Sequence, residues 1–249
     1  MRLTVHANNI LIAATLLCAM TVAAQADCQQ LQSQNQRFTA CSFDREDAKF
    51  EVFNLNAEGE PYRYLSSLAQ DLQSQNQNLL FAMNAGMYDE NQRPIGLYIE
   101  KGQQSKKLNR RGGGGNFHLK PNGVFYVKDG KPFVVETEAY AKSGVKPDFA
   151  TQSGPMLVIN GKIHPKFSPS GTSRKLRNGV GIDDQGKVTF VISDNAVTFW
   201  EFASLFKDDL KARNALFFDG SVSSLYAPEV NRYDGFLPVG PMVGAIEIK

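Results

Sequence analysis

Residues 123–136 read GVFYVKDGKPFVVE. Two runs rich in β-branched and aromatic residues flank Asp129-Gly130, a dipeptide that readily supplies the two positive φ angles of a two-residue hairpin turn. The pattern returns twice. MLVINGKIH, residues 156–164, carries Asn160-Gly161 between apolar runs, and GVGIDDQGKVTFVIS, residues 179–193, reads as a third hairpin. Hairpin strands are antiparallel by construction, so a mixed, mostly antiparallel sheet is expected rather than a doubly wound parallel one.

Working outward, two segments follow a second pattern. KFEVFNL (49–55) alternates like a strand, YRYLSSLAQDLQSQN (62–76) places Tyr64, Leu68 and Leu72 at helical spacing, and the apolar LLFAMNAGMY begins at Leu79. In the second half VTFVIS leads to the amphipathic FWEFASLFKDDLKA (199–212) and then to NALFFDGSVSSLY. Phe199, Trp200 and Phe202 are read as helix core. Gly96–Glu100 and the terminal MVGAIEIK add strands, while the polar stretch Gln29 to Gln36 reads as irregular, so the sheet is expected to begin at Lys49. The expectation is a single α+β domain with two main helices. In both units an apolar strand runs into a small polar turn, which places Asn84 and Asp219 just beyond the carboxyl ends of buried strands, a common location for ligand sites.

With 42% hydrophobic and 21% charged residues among 249, the chain has the balance of a folded globular protein. A formal charge of +2 gives no basic excess of the kind that marks nucleic-acid binders, and no nucleic-acid partner is expected. The start MRLTVHANN, the apolar run from Ile10 to Ala24 and the closing AQA have the order of a secretory signal. The run is shorter than the ~20 residues a spanning helix needs, so no membrane span is expected in the mature protein. The organisation read here is a signal peptide over 1–26, a disulfide-tied N-terminal segment over 27–48 and the main domain over 49–249, with the product periplasmic or secreted.

Cys18 lies inside the signal, which leaves Cys28 and Cys41 as an even pair in an oxidising compartment, and one disulfide is expected. HExxH, CxxC and His/Cys clusters are absent from the sequence, so no transition-metal site is expected. No cofactor is implied, and bound calcium is left open. Arg110-Arg111 followed by four glycines and Asn116 lacks the GK[ST] ending of a Walker loop, so nucleotide hydrolysis is not expected; the run reads as a solvent loop or a lid. His118 is an outside catalytic candidate.

Asn84-Ala-Gly-Met-Tyr88, Gly154-Pro155 with LVINGKI, Arg177-Asn-Gly-Val-Gly-Ile182, WEFASLF and NALFFDGSVSS together resemble, in order, the blocks of the phosphodiester glycosidase family. The family's usual wording is close to N-x-G-(F/Y), R-T-A-x-G and L-D-G-G-x-S. This chain departs from it with Asn178-Gly179 after Arg177 and Ser221-Val222-Ser223 after Gly220. The resemblance implies an exported hydrolase that splits the bond between an anomeric carbon and a phosphodiester oxygen. Its substrate would be a carbohydrate phosphodiester, released as free sugar and phosphate monoester. The departing phosphate has a second ionisation near pH ~6, so it needs little protonation. A cation to hold it and an anion near the developing oxocarbenium are needed instead. Arg177 suits the first role through its forked guanidinium; Asp219 suits the second, as nucleophile or as base for water; Asn84 would bind a sugar hydroxyl or orient water. Gly86, Gly154, Gly220 and Ser221 would complete the substrate contacts. Glu100 would join them as the further carboxylate at a strand end. The alternative is a non-catalytic module that binds a sugar phosphate or envelope glycan in the same pocket, favoured by the altered turn after Asp219.

Overall fold

The structure, a computed structural model, describes residues 26–44, 47–220 and 222–248. The expected signal peptide lies outside them except for Ala26, and Ser221 also lies outside them. Among the described residues no helix is long and apolar enough to cross a membrane.

The chain opens with β1 (Asp27–Ser33), β2 (Gln36–Phe43), β3 (Lys49–Phe53), helix α1 (Leu65–Ser74) and β4 (Leu79–Asn84). Next come β5 (Tyr98–Glu100), β6 (Gln103–Lys106), β7 (Gly123–Lys128), β8 (Lys131–Glu136), α2 (Thr137–Ser143) and β9 (Phe149–Ser153). The remainder is β10 (Met156–Ile159), β11 (Lys162–Ile163), β12 (Asn178–Ile182), β13 (Val188–Ser193), α3 (Phe199–Ser204), β14 (Asn214–Phe217), β15 (Leu225–Ala227), β16 (Arg232–Tyr233) and β17 (Met242–Ile246). They form three antiparallel sheets, in the orders β1-β2-β13-β12-β14-β10-β11, β16-β15-β4-β17-β3 and β6-β5-β9-β7-β8.

All three expected hairpins form. Asp129 and Gly130 adopt φ of 50° and 73°, and Asn160 and Gly161 adopt 49° and 75°, as a two-residue turn between antiparallel strands requires. The two strand, helix, strand units also form, each with a partner inserted. β3 and β4 both pair antiparallel with β17, so they run parallel to each other without touching. β13 and β14 flank β12 in the same way.

Each sheet turns one face inward. Phe43, Phe50, Phe81, Phe125, Phe190 and Phe218, drawn from all three sheets, fill one central cluster in which Phe190 packs on Phe81 with ring centroids 4.7 Å apart. Each outer face carries a smaller cluster. Leu65, Leu68 and Leu72 of α1 cover the β4–β17 sheet, Phe202 and Phe206 of the α3 region cover the seven-stranded sheet, and Tyr140 of α2 joins the cluster outside β7 and β9.

Four sequence readings are revised. The glutamine-rich stretch from Gln29 to Gln36 is not irregular: it belongs to the β1–β2 hairpin, so the sheet begins at Asp27 rather than Lys49. β1 is an edge strand whose side chains are largely solvated, so it shows no apolar alternation. A third helix, α2, follows β8, capped by the Glu136 side chain, which accepts from the Ala139 N–H. The second-half helix is α-helical only to Ser204 and widens into a π-turn over Leu205–Asp209. Phe202 is core as expected, whereas Phe199 and Trp200 are half-buried. Cys28 and Cys41 are bonded across paired positions of β1 and β2.

Candidate active site

Asn84 closes β4 and is wholly buried. Its Oδ1 accepts from the Ser224 N–H at 2.9 Å and from Asn178 Nδ2 at 3.0 Å. The backbone donor at Ser224 sets the orientation of the carboxamide, since only its oxygen can accept there. Asn84 Nδ2 has no hydrogen-bond partner among the described residues. Asn178, the first residue of β12 and equally buried, is the hub. Its Nδ2 also donates to the Asn84 carbonyl at 2.8 Å, and its Oδ1 accepts from the Asp219 N–H at 3.0 Å. One side chain therefore ties the end of β4 to the turn that follows β14.

Asp219 is half-buried in that turn, with its Oδ1 accepting from the Gly220 N–H at 2.6 Å. Tyr88 lies nearby. Burial, and after it the Asp219 charge, push the Tyr88 phenol well above its ordinary range, so it stays a neutral donor or acceptor at any working pH.

Arg177 takes a different course. Side chains alternate along a strand, so Arg177 and Asn178 leave the backbone on opposite faces. The Arg177 guanidinium lies 3.6 Å above the Phe199 ring and 5.6 Å from the Phe217 centroid, on the α3 side of the sheet. Nε donates to the Val197 carbonyl at 3.0 Å and Nη2 to the Ser173 carbonyl at 3.1 Å, while Nη1 donates to nothing among the described residues. No described carboxylate stands within ion-pair distance. Burial lowers its pKa to about 10, which leaves it charged at neutral pH. Phe217 links the two halves, because a side chain at Gly220 would come within 3.1 Å of that ring and 3.0 Å of the Leu176 carbonyl. Asn84 and Asp219 thus share one hydrogen-bonded cluster, and among the described residues no hydrogen bond links the Arg177 side chain to it.

The glycines have packing reasons of their own. A Cβ at Gly86 would fall 2.3 Å from Thr151 Oγ1 and 2.5 Å from the Gln152 carbonyl, so its bareness lets the loop after β4 lie on β9. Gly154, before the cis peptide to Pro155, abuts Asn122 and the Phe117 carbonyl. Glu100 lies apart from the cluster, on β5, accepting from the Tyr98 hydroxyl at 2.9 Å beside Glu51, Tyr62 and Asp71. His118 is held by the glycine-rich run, its Nδ1 3.2 Å from the Arg111 carbonyl and its ring against Gly113. Among the described residues no three His, Cys, Asp or Glu side chains are grouped to hold a metal ion.

Sequence reasoning passed over Asn178, Tyr88 and Ser224. Asn178 was visible as a departure from the usual R-T-A wording, and Tyr88 closed the block that began at Asn84. Ser224 contributes only its backbone N–H, which no sequence pattern marks.

The strand-end cluster on three antiparallel sheets belongs to the class of phosphodiester glycosidase folds: residues 77–245 match the phosphodiester glycosidase family, and the chain is a member of it. It is 40% identical over 224 residues to the Escherichia coli (strain K12) protein YigE, covering 90% of this chain and 87% of that one. Its fold is similar to the zebrafish N-acetylglucosamine-1-phosphodiester alpha-N-acetylglucosaminidase catalytic domain, solved auto-inhibited by its pro-peptide. The TM-score there is 0.58, at 15% identity, over 90% of this chain and 83% of that one. A putative exported protein from Burkholderia pseudomallei K96243 has the same fold, with a TM-score of 0.58 at 10% identity over 84% and 74% of the two chains. Family and fold support a general hydrolase role.

Proposed function

We propose that the chain is an exported hydrolase that cleaves the anomeric C–O bond of a sugar-1-phosphodiester. Water supplies the oxygen that ends on the anomeric carbon, and the products are a free sugar and a phosphate monoester. The observation that carries the reading is the Asn84 carboxamide: locked in orientation by Ser224 and Asn178, wholly buried, and with its N–H donors unspent beside the Asp219 turn. A buried amide without an acceptor costs about 1 to 3 kcal/mol, a cost a ligand oxygen would relieve.

In this reading Asp219 supplies the negative charge facing the developing oxocarbenium ion, as nucleophile or as base for water, and Tyr88 beside it donates to a substrate oxygen. Gly220 shapes the turn around the sugar, and Ser221 is a further candidate contact. Arg177 supplies positive potential from the α3 side of the sheet, where its guanidinium is held by the Val197 and Ser173 carbonyls. The Cys28–Cys41 bond and the lack of a membrane-crossing helix among the described residues agree with export into an oxidising compartment.

The test is turnover of sugar-1-phosphodiesters, several sugars being tried, with both products measured. Asp219→Asn keeps shape but removes the charge, and is expected to lower kcat at least 100-fold with an unchanged melting temperature. Full activity in that variant would make Asp219 a turn residue. Binding of sugar phosphates without any cleavage by the wild type would replace the hydrolase with a binding module.

A further inference from the structure

Two adjoining clefts lie away from the Asn84 cluster and share Ser105 and Lys106 in their walls. One, of about 510 Å³, is walled by the run from Ser105 to Arg111 and closed by Ile95. Lys106, Lys107, Arg110 and Arg111 line it and no carboxylate does. Arg110 is spent in an ion pair with Glu138, but Lys106, Lys107 and Arg111 have no carboxylate within ion-pair distance among the described residues. The other cleft, of about 570 Å³, adds Arg63 and Arg93, neither in an ion pair among the described residues, against Glu60 and Glu90. Its lining includes Asn54, which is buried and whose Oδ1 has no donor among the described residues.

Unpaired like charges side by side repel one another, and a surface that keeps five of them around one continuous trough concentrates anions there. At ~0.15 M salt the screening length is ~8 Å, so the charges act together only on a ligand lying along the trough. A lone phosphate would satisfy one end. Asn54 adds a second requirement, a hydroxyl or amide donor reaching the floor. We propose that the trough is an accessory binding site for a chain of repeating phosphates joined by polyol or sugar units, whose phosphates meet Lys106, Lys107, Arg111, Arg63 and Arg93 and whose hydroxyl donates to Asn54. The loop that leaves β4 at Asn84 returns to the trough at Ile95, its N–H bonded to the Met87 carbonyl, so a chain held there lies on the same loop as the candidate active site. Binding in the trough stands without the hydrolase reading, and its test reads binding alone.

The full mature protein is titrated calorimetrically with a synthetic hexameric poly(glycerol phosphate), and separately with linear inorganic hexaphosphate, from 25 to 300 mM salt. Both are expected to bind, with log K falling linearly against log salt as phosphate contacts release counterions. Reversal of Lys106, Lys107 and Arg111 to glutamate is expected to weaken both at least tenfold. The same charge change at exposed Lys131, Lys142 and Lys146 is expected to weaken them less than threefold. Asn54→Leu is expected to weaken only the glycerol phosphate probe, and the Asn54 side-chain amide resonances of the wild type are expected to shift only with that probe. No binding at 25 mM salt, equal losses from the two triple reversals, or an Asn54 resonance indifferent to both probes would each overturn the proposal.

Discussion

Replacing Asn178 by alanine isolates the tie between the two halves of the candidate site. The change deletes three hydrogen bonds, two to Asn84 at 2.8 and 3.0 Å in a buried setting and one from the Asp219 N–H at 3.0 Å in a half-buried one. Each such bond contributes about 1 kcal/mol net, so the loss should come to about 3 kcal/mol. Asn84 Oδ1 keeps the Ser224 N–H, which holds the figure below the sum of three orphaned groups. With a urea m-value of about 2 to 3 kcal/mol/M for a chain of this size, the unfolding midpoint should fall by about 1 to 1.5 M. Turnover of a sugar-1-phosphodiester, measured well below that midpoint, should drop about 100-fold, the scale on which a misplacement of about 1 Å acts. A midpoint shift under about 0.3 M with unchanged turnover would refute the idea that Asn178 holds Asn84 and Asp219 in register.

Three further outcomes follow from the geometry. Removing the Cys28–Cys41 bond by double alanine substitution opens a loop of 13 residues' separation and should cost about 2 to 3 kcal/mol, read as a melting temperature roughly 5 to 10 °C lower. The same drop should appear when the wild type is melted under reductant. Gly86→Ala drives a methyl group to 2.3 Å from Thr151 Oγ1 and 2.5 Å from the Gln152 carbonyl, so it should be strongly destabilising in a urea melt, whereas Gly114→Ala, with open space around it, should not be. Glu100 has its carboxyl raised, chiefly by burial, with the Tyr98 hydroxyl partly opposing the shift. A folded pKa above the unfolded one means that the ionised form is penalised in the folded state. Stability from this group is therefore present below the unfolded carboxylate value near pH ~4.3 and is lost as pH rises through the folded one. Glu100→Gln should be the more stable protein at pH 7, with the advantage vanishing toward pH 4; no pH dependence in the difference would contradict the burial argument.

How far the sequence can be read depends on the distance over which each feature is specified. Asp129-Gly130 and Asn160-Gly161 specify their turns through the φ preferences of two residues, and Leu65, Leu68 and Leu72 specify the buried stripe of α1 through spacing within one helix. The disulfide was legible because Cys18 falls within the expected signal peptide, leaving Cys28 and Cys41 as an even pair. α2 was harder to see: seven residues with Thr137 as their sole buried position leave no apolar stripe to read. The Gln-rich β1 carried no alternation because an edge strand leaves most of its side chains in water.

By its own local chemistry the sequence determined the hairpins, the two strand, helix, strand units, the cysteine pair and the placement of Asn84 and Asp219 at strand ends. Only the tertiary structure decided that β17 and β12 insert between the strands of those units, since pairing across so many residues depends on which sheet faces remain unburied once the local elements exist. It also decided that Asn178, 94 positions from Asn84 and 41 from Asp219, joins the two. Arg177 shows the limit most plainly. Its identity is written in the chain, but whether its guanidinium meets Asp219 or Phe199 was decided by the pleat of β12, which sends adjacent side chains to opposite faces, and by Phe199, whose ring is waiting 3.6 Å away on one of them.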